Sequence, residues 1–302
     1  MARGFTEKDV PDQTGKTAFV TGANTGLGFH VARVLADRGA RVLLGCRSQE
    51  KALTAMEQIL AATPEADIAF VPLDLGDLAS IEEAAAMVAT EDQLDLLINN
   101  AGIMFPPFSL TKDGFESQFG VNHLGPFALT AYLIDKILET PEARIVSTSS
   151  LGHQPGQIYF DDIHGERSYN PQFRYFQSKL ANLLFAYELE RRLRKLETNV
   201  ISVACHPGVA DTELTRYLPF FARAVTPVVS LMANTAAQGA WPTLLAATGD
   251  EVDGGGYYGP SGIGEFSGSA IKVSSTSRSH DRTLAKRLWD LSIDLTGVDP
   301  GL

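Results

Sequence analysis

The chain has 302 residues, with 25 basic against 36 acidic side chains and a formal net charge of −11. That surplus repels a phosphate backbone and argues against nucleic-acid binding, although a local cationic pocket for a small anion remains compatible with it. At 44% apolar and 20% charged residues, with a mean hydropathy of −0.01, the composition supports a sizeable core and excludes disordered and fibrous classes.

Short β-branched or apolar runs alternate with longer helical patterns. TAFVT (17–21) reads as a strand, followed by a helix through Phe29, Val31, Val34 and Leu35 that stops at Gly39. RVLLGC (41–46) is the second strand, and a helix through Leu53, Met56 and Leu60 ends near Pro64. IAFVPL (68–73) is the third, followed by a helix over about 78–88. LDLLIN (94–99) precedes one long helix over 114–139, and RIVSTS (144–149) precedes a polar insertion and a helix over 172–195. NVISVAC (199–205) is the sixth strand. Beyond it lie an apolar loop region, a helix near 234–247, GGGYYGP read as a glycine-rich turn, and a last helix near 281–293.

Alternating β and α units imply a doubly wound parallel sheet with helices on both faces. The strands are apolar on consecutive residues, as a sheet covered on both sides requires. No repeat or linker interrupts the pattern. A single Rossmann-type α/β domain is therefore expected over 1–302, with a core at 15–210, a small substrate-covering lid at 211–235 and a C-terminal completion at 236–302.

Cys46 and Cys205 each sit in an apolar run, which fits reduced thiols packed as small hydrophobes. The opening MARGFTEKDVPDQTGK is polar and shows no signal peptide. The most apolar stretch, 217–232, is broken by Arg223 and Pro227 and is too short to span a bilayer. A cytoplasmic protein without an integral membrane segment is expected.

Directly after the first strand comes Gly22-Ala23-Asn24-Thr25-Gly26-Leu27-Gly28. Glycines at a strand-to-helix turn let backbone N–H groups approach a pyrophosphate at the positive helix end. At the end of the second strand, where NAD-binding proteins usually carry an acid, stand Cys46 and Arg47, with Lys51 one turn on. A guanidinium there suits a 2′-phosphate, so NADP(H) is expected over NAD(H). Tyr175 and Lys179, four apart in a helical pattern, project from one face. A free tyrosine, with a pKa of about 10, is a poor general base, and a nearby ammonium is expected to favour the phenolate. Neither cysteine suits a nucleophile, and no cluster has metal-ligand spacing. His123, His153, His164 and His206 read as structural or substrate-lining.

The Gly-x3-Gly-x-Gly spacing, Asn99-Asn100-Ala101-Gly102 after the fourth strand and Tyr175-x3-Lys179 occur in order at their strand ends. With them the chain resembles the short-chain dehydrogenase/reductase family over roughly 15–260. The resemblance implies that Asp74 and Leu75 flank the adenine, with Asp74 also readable as an N-cap for the helix at 78. It implies that Asn100, Ala101 and Gly102 line the adenosine side, and that His206, Pro207, Gly208 and Val209 through Thr212 embrace the nicotinamide, with the Thr212 hydroxyl near the carboxamide. By the same resemblance Ser150, with Ser149 as fallback, hydrogen-bonds the substrate oxygen. Tyr175 transfers the proton, Lys179 also binds the nicotinamide ribose, and Asn122 holds a water linking the lysine to solvent.

Twenty-four residues separate Ser150 from Tyr175, against about a dozen in many members. Together with SKLANLLFAYEL and RLWDLS, this is similar to the retinol dehydrogenase-like and carbonyl reductase branch. The sequence has no WW domain and no apolar anchor, so membrane-bound retinoids are not the expected substrate. The stretch 214–232 holds Tyr217, Leu218, Phe220, Phe221 and Val225. It reads as a lid over a bulky hydrophobic ketone, aldehyde or alcohol, with a subunit or membrane contact as alternatives. Family members commonly pair through the helices here near 114–139 and 172–195, so a homodimer or homotetramer is expected. The alternative outside enzymes is an NADPH-sensing regulator without turnover. Such proteins typically lose the tyrosine or lysine, and here Ser150, Tyr175, Lys179 and Asn122 are all present.

Overall fold

The computed structural model describes residues 4–209 and 234–302. Thr212 and nearly all of the expected lid at 211–235 lie outside the described residues. Strands β1 (Thr17–Thr21), β2 (Arg41–Cys46), β3 (Ile68–Pro72), β4 (Leu96–Asn99), β5 (Arg144–Thr148), β6 (Ile201–Cys205), β7 (Tyr257–Pro260) and β8 (Ala270–Lys272) form one sheet in the order β3-β2-β1-β4-β5-β6-β7-β8. Neighbours pair in parallel except β7 and β8, which run antiparallel.

The principal helices are α1 (Gly26–Asp37), α2 (Gln49–Ala62), α3 (Leu78–Val88), α4 (Gly125–Glu139), α5 (Pro171–Lys195), α6 (Trp241–Thr248) and α7 (Arg282–Thr296). Successive residues of β1 serve opposite faces, as strand geometry dictates. Val20 joins Val31 and Leu35 of α1 and Leu244 of α6 in one core, while Phe19 joins Ile81 of α3, Leu129 and Leu133 of α4 and Leu189 of α5 in the other. Each fully buried side chain of this size contributes about 1.5–3 kcal/mol. Two-sided covering is why the strands read as continuous apolar runs.

Local chemistry sets the helix starts. Ser48 accepts from Lys51 N, and Asn170 accepts from Gln172 N and Phe173 N ahead of Pro171, which has no N–H to satisfy. Asp77, not Asp74, caps α3 by accepting from Ala79 N. Asp74 instead accepts from Gly76 N within the preceding turn.

Three readings of the last two-thirds need correction. The helix expected over 114–139 is a short turn at Ser117–Phe119, a widened π turn at Gly120–Leu124 and then α4. The helix expected near 234–247 is divided into Ala236–Gly239 and α6 at Ala240, beside Pro242. GGGYYGP is a turn only in its first three residues; Tyr257–Pro260 is a strand beside β6, and both tyrosines are buried. The sheet therefore extends two strands further than the β-α alternation suggested, and its last strand returns antiparallel.

The strand order reverses between β1 and β4, opening a crevice at their carboxyl ends. Thr21, wholly buried, locks that point. Its hydroxyl accepts from the N–H groups of Asn100 and Ala101, each at 3.0 Å, and its carbonyl accepts from Asn100 Nδ2 at 2.9 Å. Thr21→Val keeps the shape but strands the Ala101 N–H, while the Asn100 N–H keeps the Ile98 carbonyl at 2.9 Å. It should lower unfolding free energy by about 1–3 kcal/mol in denaturant titration; an unchanged midpoint would remove Thr21 from this role.

Candidate active site

A cavity of about 390 Å³ occupies the crevice. Gly22, Asn24, Thr25, Gly26, Leu27 and Gly28 line its floor, Arg47, Asp74 and Leu75 one end, and Asn100, Ala101 and Gly102 its flank. Tyr175, Lys179 and Pro207 line the other end. The residues expected to bind one dinucleotide, far apart in sequence, thus converge on one space. Gly208 and Val209 continue the loop from Pro207. A larger, shallow hollow on α7 beside Phe160 pairs its own charges, Lys286 with Asp290, and lies on an outer helix.

The glycine turn is built for close approach. Gly26 adopts φ +56°, a left-handed conformation that costs a side chain energy. A Cβ on Gly28 would lie 2.5 Å from Asn100 Nδ2 and 2.8 Å from the Gly22 carbonyl carbon, closer than any real contact. Thr25 precedes α1 without capping it, so the first N–H groups of the helix face the cavity. At the second strand's end, Arg47, Ser48 and Lys51 line the cavity, and among the described residues no acid pairs with Arg47. Burial pushes the neighbouring Cys46 thiol up to about 11, so it stays neutral. Uncapped amides and an unpaired guanidinium fit a pyrophosphate and a further phosphate.

At the opposite end, Tyr175 and Lys179 stand on one face of α5, both nearly buried. Lys179 Nζ donates to the Thr148 carbonyl at 3.2 Å and lies 5.7 Å from the centre of the Tyr175 ring. Burial pushes the ammonium down to about 8. Burial also pushes the phenol above its ordinary value, opposed by a hydrogen bond with Ser150. The phenol thus lies above its ordinary value and not below it as expected, because loss of water outweighs the Ser150 hydrogen bond.

Two further positions were expected here. Ser149 Oγ donates to the Lys179 carbonyl at 2.8 Å and is committed to the backbone of α5, which leaves Ser150 as the hydroxyl facing Tyr175. Asn122, on the π turn, gives both amide hydrogens away, to the Ile103 carbonyl and to Ser178 Oγ, and accepts from Ile103 N. It fixes the loop after Gly102 beside the lysine.

Several site residues escaped sequence reasoning. Met104 lines the cavity, and Phe105, at φ +58°, sets its ring edge-on to Tyr175 at 5.2 Å. Their position directly after the Asn-Asn-Ala-Gly motif was the available signal. His206 was expected beside the nicotinamide turn, but its partner Glu265, 59 residues away, was not, and no local pattern announces such a pair. His123 is held near 3 by burial and bonds Ser292, a structural role as expected.

A doubly wound sheet with a glycine turn at its switch point and a Tyr–Lys pair beside it is the architecture of nicotinamide-dependent oxidoreductases. The chain belongs to the short chain dehydrogenase family, whose sequence profile matches residues 16–219. It is 42% identical to human retinol dehydrogenase 11 over 94% of this chain and 86% of that protein, and 41% identical to human retinol dehydrogenase 13 over 94% and 86%. Among solved structures, an uncharacterized protein from Mycobacterium paratuberculosis matches with a TM-score of 0.83 and 38% identity, covering 99% of this chain and 100% of that one. A short chain dehydrogenase from Burkholderia cenocepacia, solved in complex with NADP, matches with a TM-score of 0.64 and 26% identity over 81% and 95%. The chain is thus an oxidoreductase of the retinol dehydrogenase-like kind, and among the described residues no helix is long and apolar enough to cross a membrane.

Gly28→Ala forces either the turn or Asn100 to move. Dinucleotide affinity measured by fluorescence titration should fall by at least about tenfold, and an affinity equal to the parent's would show that the turn does not meet the ligand.

Proposed function

We propose that the protein is an NADP(H)-dependent oxidoreductase that interconverts a bulky hydrophobic ketone or aldehyde and its alcohol, with Tyr175 as general acid and base. The observation that carries this reading is the meeting of Tyr175 and Lys179 at one end of a cavity, with Ser150 hydrogen-bonded to Tyr175, while the other end offers Arg47 and uncapped helix amides. NADPH bound there supplies the two electrons of the reduction as hydride to the carbonyl carbon.

The chain's own residues handle the oxygen. Ser150 Oγ and the Tyr175 hydroxyl both donate to the carbonyl oxygen, polarising it and fixing its position. Tyr175 gives up its proton as charge develops on that oxygen. A phenol kept protonated by burial suits this acid role. Lys179, brought to about 8, is largely charged at neutral pH and can return a proton toward the phenolate; above that value the ammonium is lost and the return weakens. Asn122 holds Ile103 and Ser178 so that Lys179 keeps its place.

NADP(H) is favoured over NAD(H) by Arg47 and Lys51 beside a neutral Cys46, and the Burkholderia relative's NADP complex agrees in cofactor. An apolar substrate is favoured by Met104, Phe105 and Phe176 around Tyr175, and by the retinol named for the human relatives. We extend the reading to a single domain, to residues 211–235 with Thr212 as substrate cover and carboxamide contact, and to a cytoplasmic dimer or tetramer joined through α4 and α5.

Tyr175→Phe should reduce kcat/KM by about 10³-fold in an NADPH absorbance assay with apolar ketones, while the NADPH Kd stays near the parent value. Retention of most turnover would end the Tyr175 assignment. The parent should show higher kcat/KM with NADPH than with NADH, and Arg47→Asp should lower the NADPH value by about 10–100-fold. A parent that prefers NADH would overturn the cofactor choice.

A further inference from the structure

Glu265 occupies an unusual place. It sits at φ +59°, in the left-handed region, directly after Gly264 at φ +65°. A residue with a side chain costs about 1–3 kcal/mol there and stays only where its surroundings hold it. Burial does not supply the hold: neighbouring Ile263 is 90% exposed and Phe266 44% exposed. What meets Glu265 is a hydrogen bond to its carboxylate from His206 Nε2 at 2.8 Å.

His206 is wholly buried, and its other ring nitrogen is also engaged. Nδ1 accepts from the Gly208 N–H at 3.2 Å, so Nδ1 is unprotonated and Nε2 carries the hydrogen that goes to Glu265. The ring lies over Gly259, where a Cβ would come within 2.6 Å of His206 Cδ2, and it tilts against the Tyr257 ring at 5.2 Å. The two loops also touch main chain to main chain. Val209 N donates to the Phe266 carbonyl at 2.9 Å, and a Cβ on Gly208, itself at φ +74°, would meet the Glu265 carbonyl at 2.9 Å. Tyr257 in turn meets His153 edge-on at 5.5 Å, and His153 Nδ1 donates to the Ser150 carbonyl at 2.7 Å.

We propose that Glu265 is a positioning residue: through the His206 ring it fixes the Pro207-Gly208-Val209 turn in the shape that receives the nicotinamide half of the cofactor. This rests on the dinucleotide reading given above. Glu265 touches neither cofactor nor substrate. It orients His206, His206 orients the Gly208 N–H, and the turn so formed closes the end of the cavity at Pro207. The strained backbone is the consequence of bringing the carboxylate of an exposed loop onto a buried ring. The same aromatic stack reaches Ser150, so both sides of the reacting carbon are held from one place.

Glu265→Gly and Glu265→Gln separate this role from simple stability. Glycine takes φ +59° without strain but removes the carboxylate, whereas glutamine keeps an acceptor for Nε2–H. The probes are NADPH and 2′,5′-ADP, a fragment that carries the adenosine end and lacks nicotinamide. Glu265→Gly should keep or raise Tm, hold its 2′,5′-ADP Kd within about twofold and weaken NADPH by about tenfold, while Glu265→Gln stays within about threefold of the parent for both. If Glu265→Gly does not fold, Glu265→Met, of similar length and without an acceptor, replaces it in the comparison with Glu265→Gln. An NADPH Kd unchanged in the acceptor-free variant, or equal losses for both ligands alongside a fall in Tm, overturns the positioning role. A parent protein that binds neither ligand fails one step earlier and sinks the dinucleotide reading itself.

Discussion

At the carboxyl ends of β1 and β4 the chain leaves the sheet toward opposite faces, and one buried hydroxyl, that of Thr21, ties both departures together. Because β4's exit is bonded to β1's last residue, Asn100 is held against Gly22, and α1 can begin only where Gly28 leaves room for both. The crevice is the gap this packing leaves. Its floor carries unpaired helix amides because Thr25 does not cap α1, and its walls are the ends of strands buried on both faces. Rigid cores on either side hold that gap to one width, since close-packed interiors deform little.

The far end of the crevice obeys a second constraint, the removal of water. Burial disfavours the charged form of both partners, raising the Tyr175 phenol above its ordinary value and lowering the Lys179 ammonium to about 8, so their proton affinities move apart and the phenol holds its proton the more tightly. Return of a proton from the Lys179 ammonium to the Tyr175 phenolate therefore runs downhill, and the phenol rests protonated, ready to act as an acid. The lysine's nearest acceptor is the Thr148 carbonyl at the end of β5. The sheet thus sets the height of Lys179 beside Tyr175, and α5 sets their spacing.

Much of this was legible in the residues. Consecutive apolar positions in strands such as RVLLGC forecast two-sided burial, and the glycine turn, Tyr175 and Lys179 were legible from their spacing together with their order after successive strands. The short chain dehydrogenase membership came from three short motifs, and the retinol dehydrogenase-like branch from the long segment after Ser150 with SKLANLLFAYEL and RLWDLS. What escaped depends on partners distant in sequence. Tyr257 and Tyr258 form a strand only because β6 lies beside them, and glycines on both sides of the tyrosine pair hid it. Asp77 and Asp74 are equivalent as caps on paper, and only the chain's path decides between them. The π turn around Asn122 keeps a helical sequence pattern while widening one turn. The sign of the Tyr175 shift turned on burial, a quantity that spacing does not carry.

The central claim is spatial: the phenol of Tyr175 and the hydroxyl of Ser150 share one substrate oxygen, opposite the reactive carbon of a nicotinamide laid along the glycine turn. A crystal structure with NADP⁺ and a bulky secondary alcohol tests it directly. Both hydroxyl oxygens should lie within about 3.2 Å of the alcohol oxygen, with the carbinol carbon facing the nicotinamide ring. A Tyr175 side chain directed away from that ring, or a dinucleotide seated elsewhere on the sheet, would contradict it.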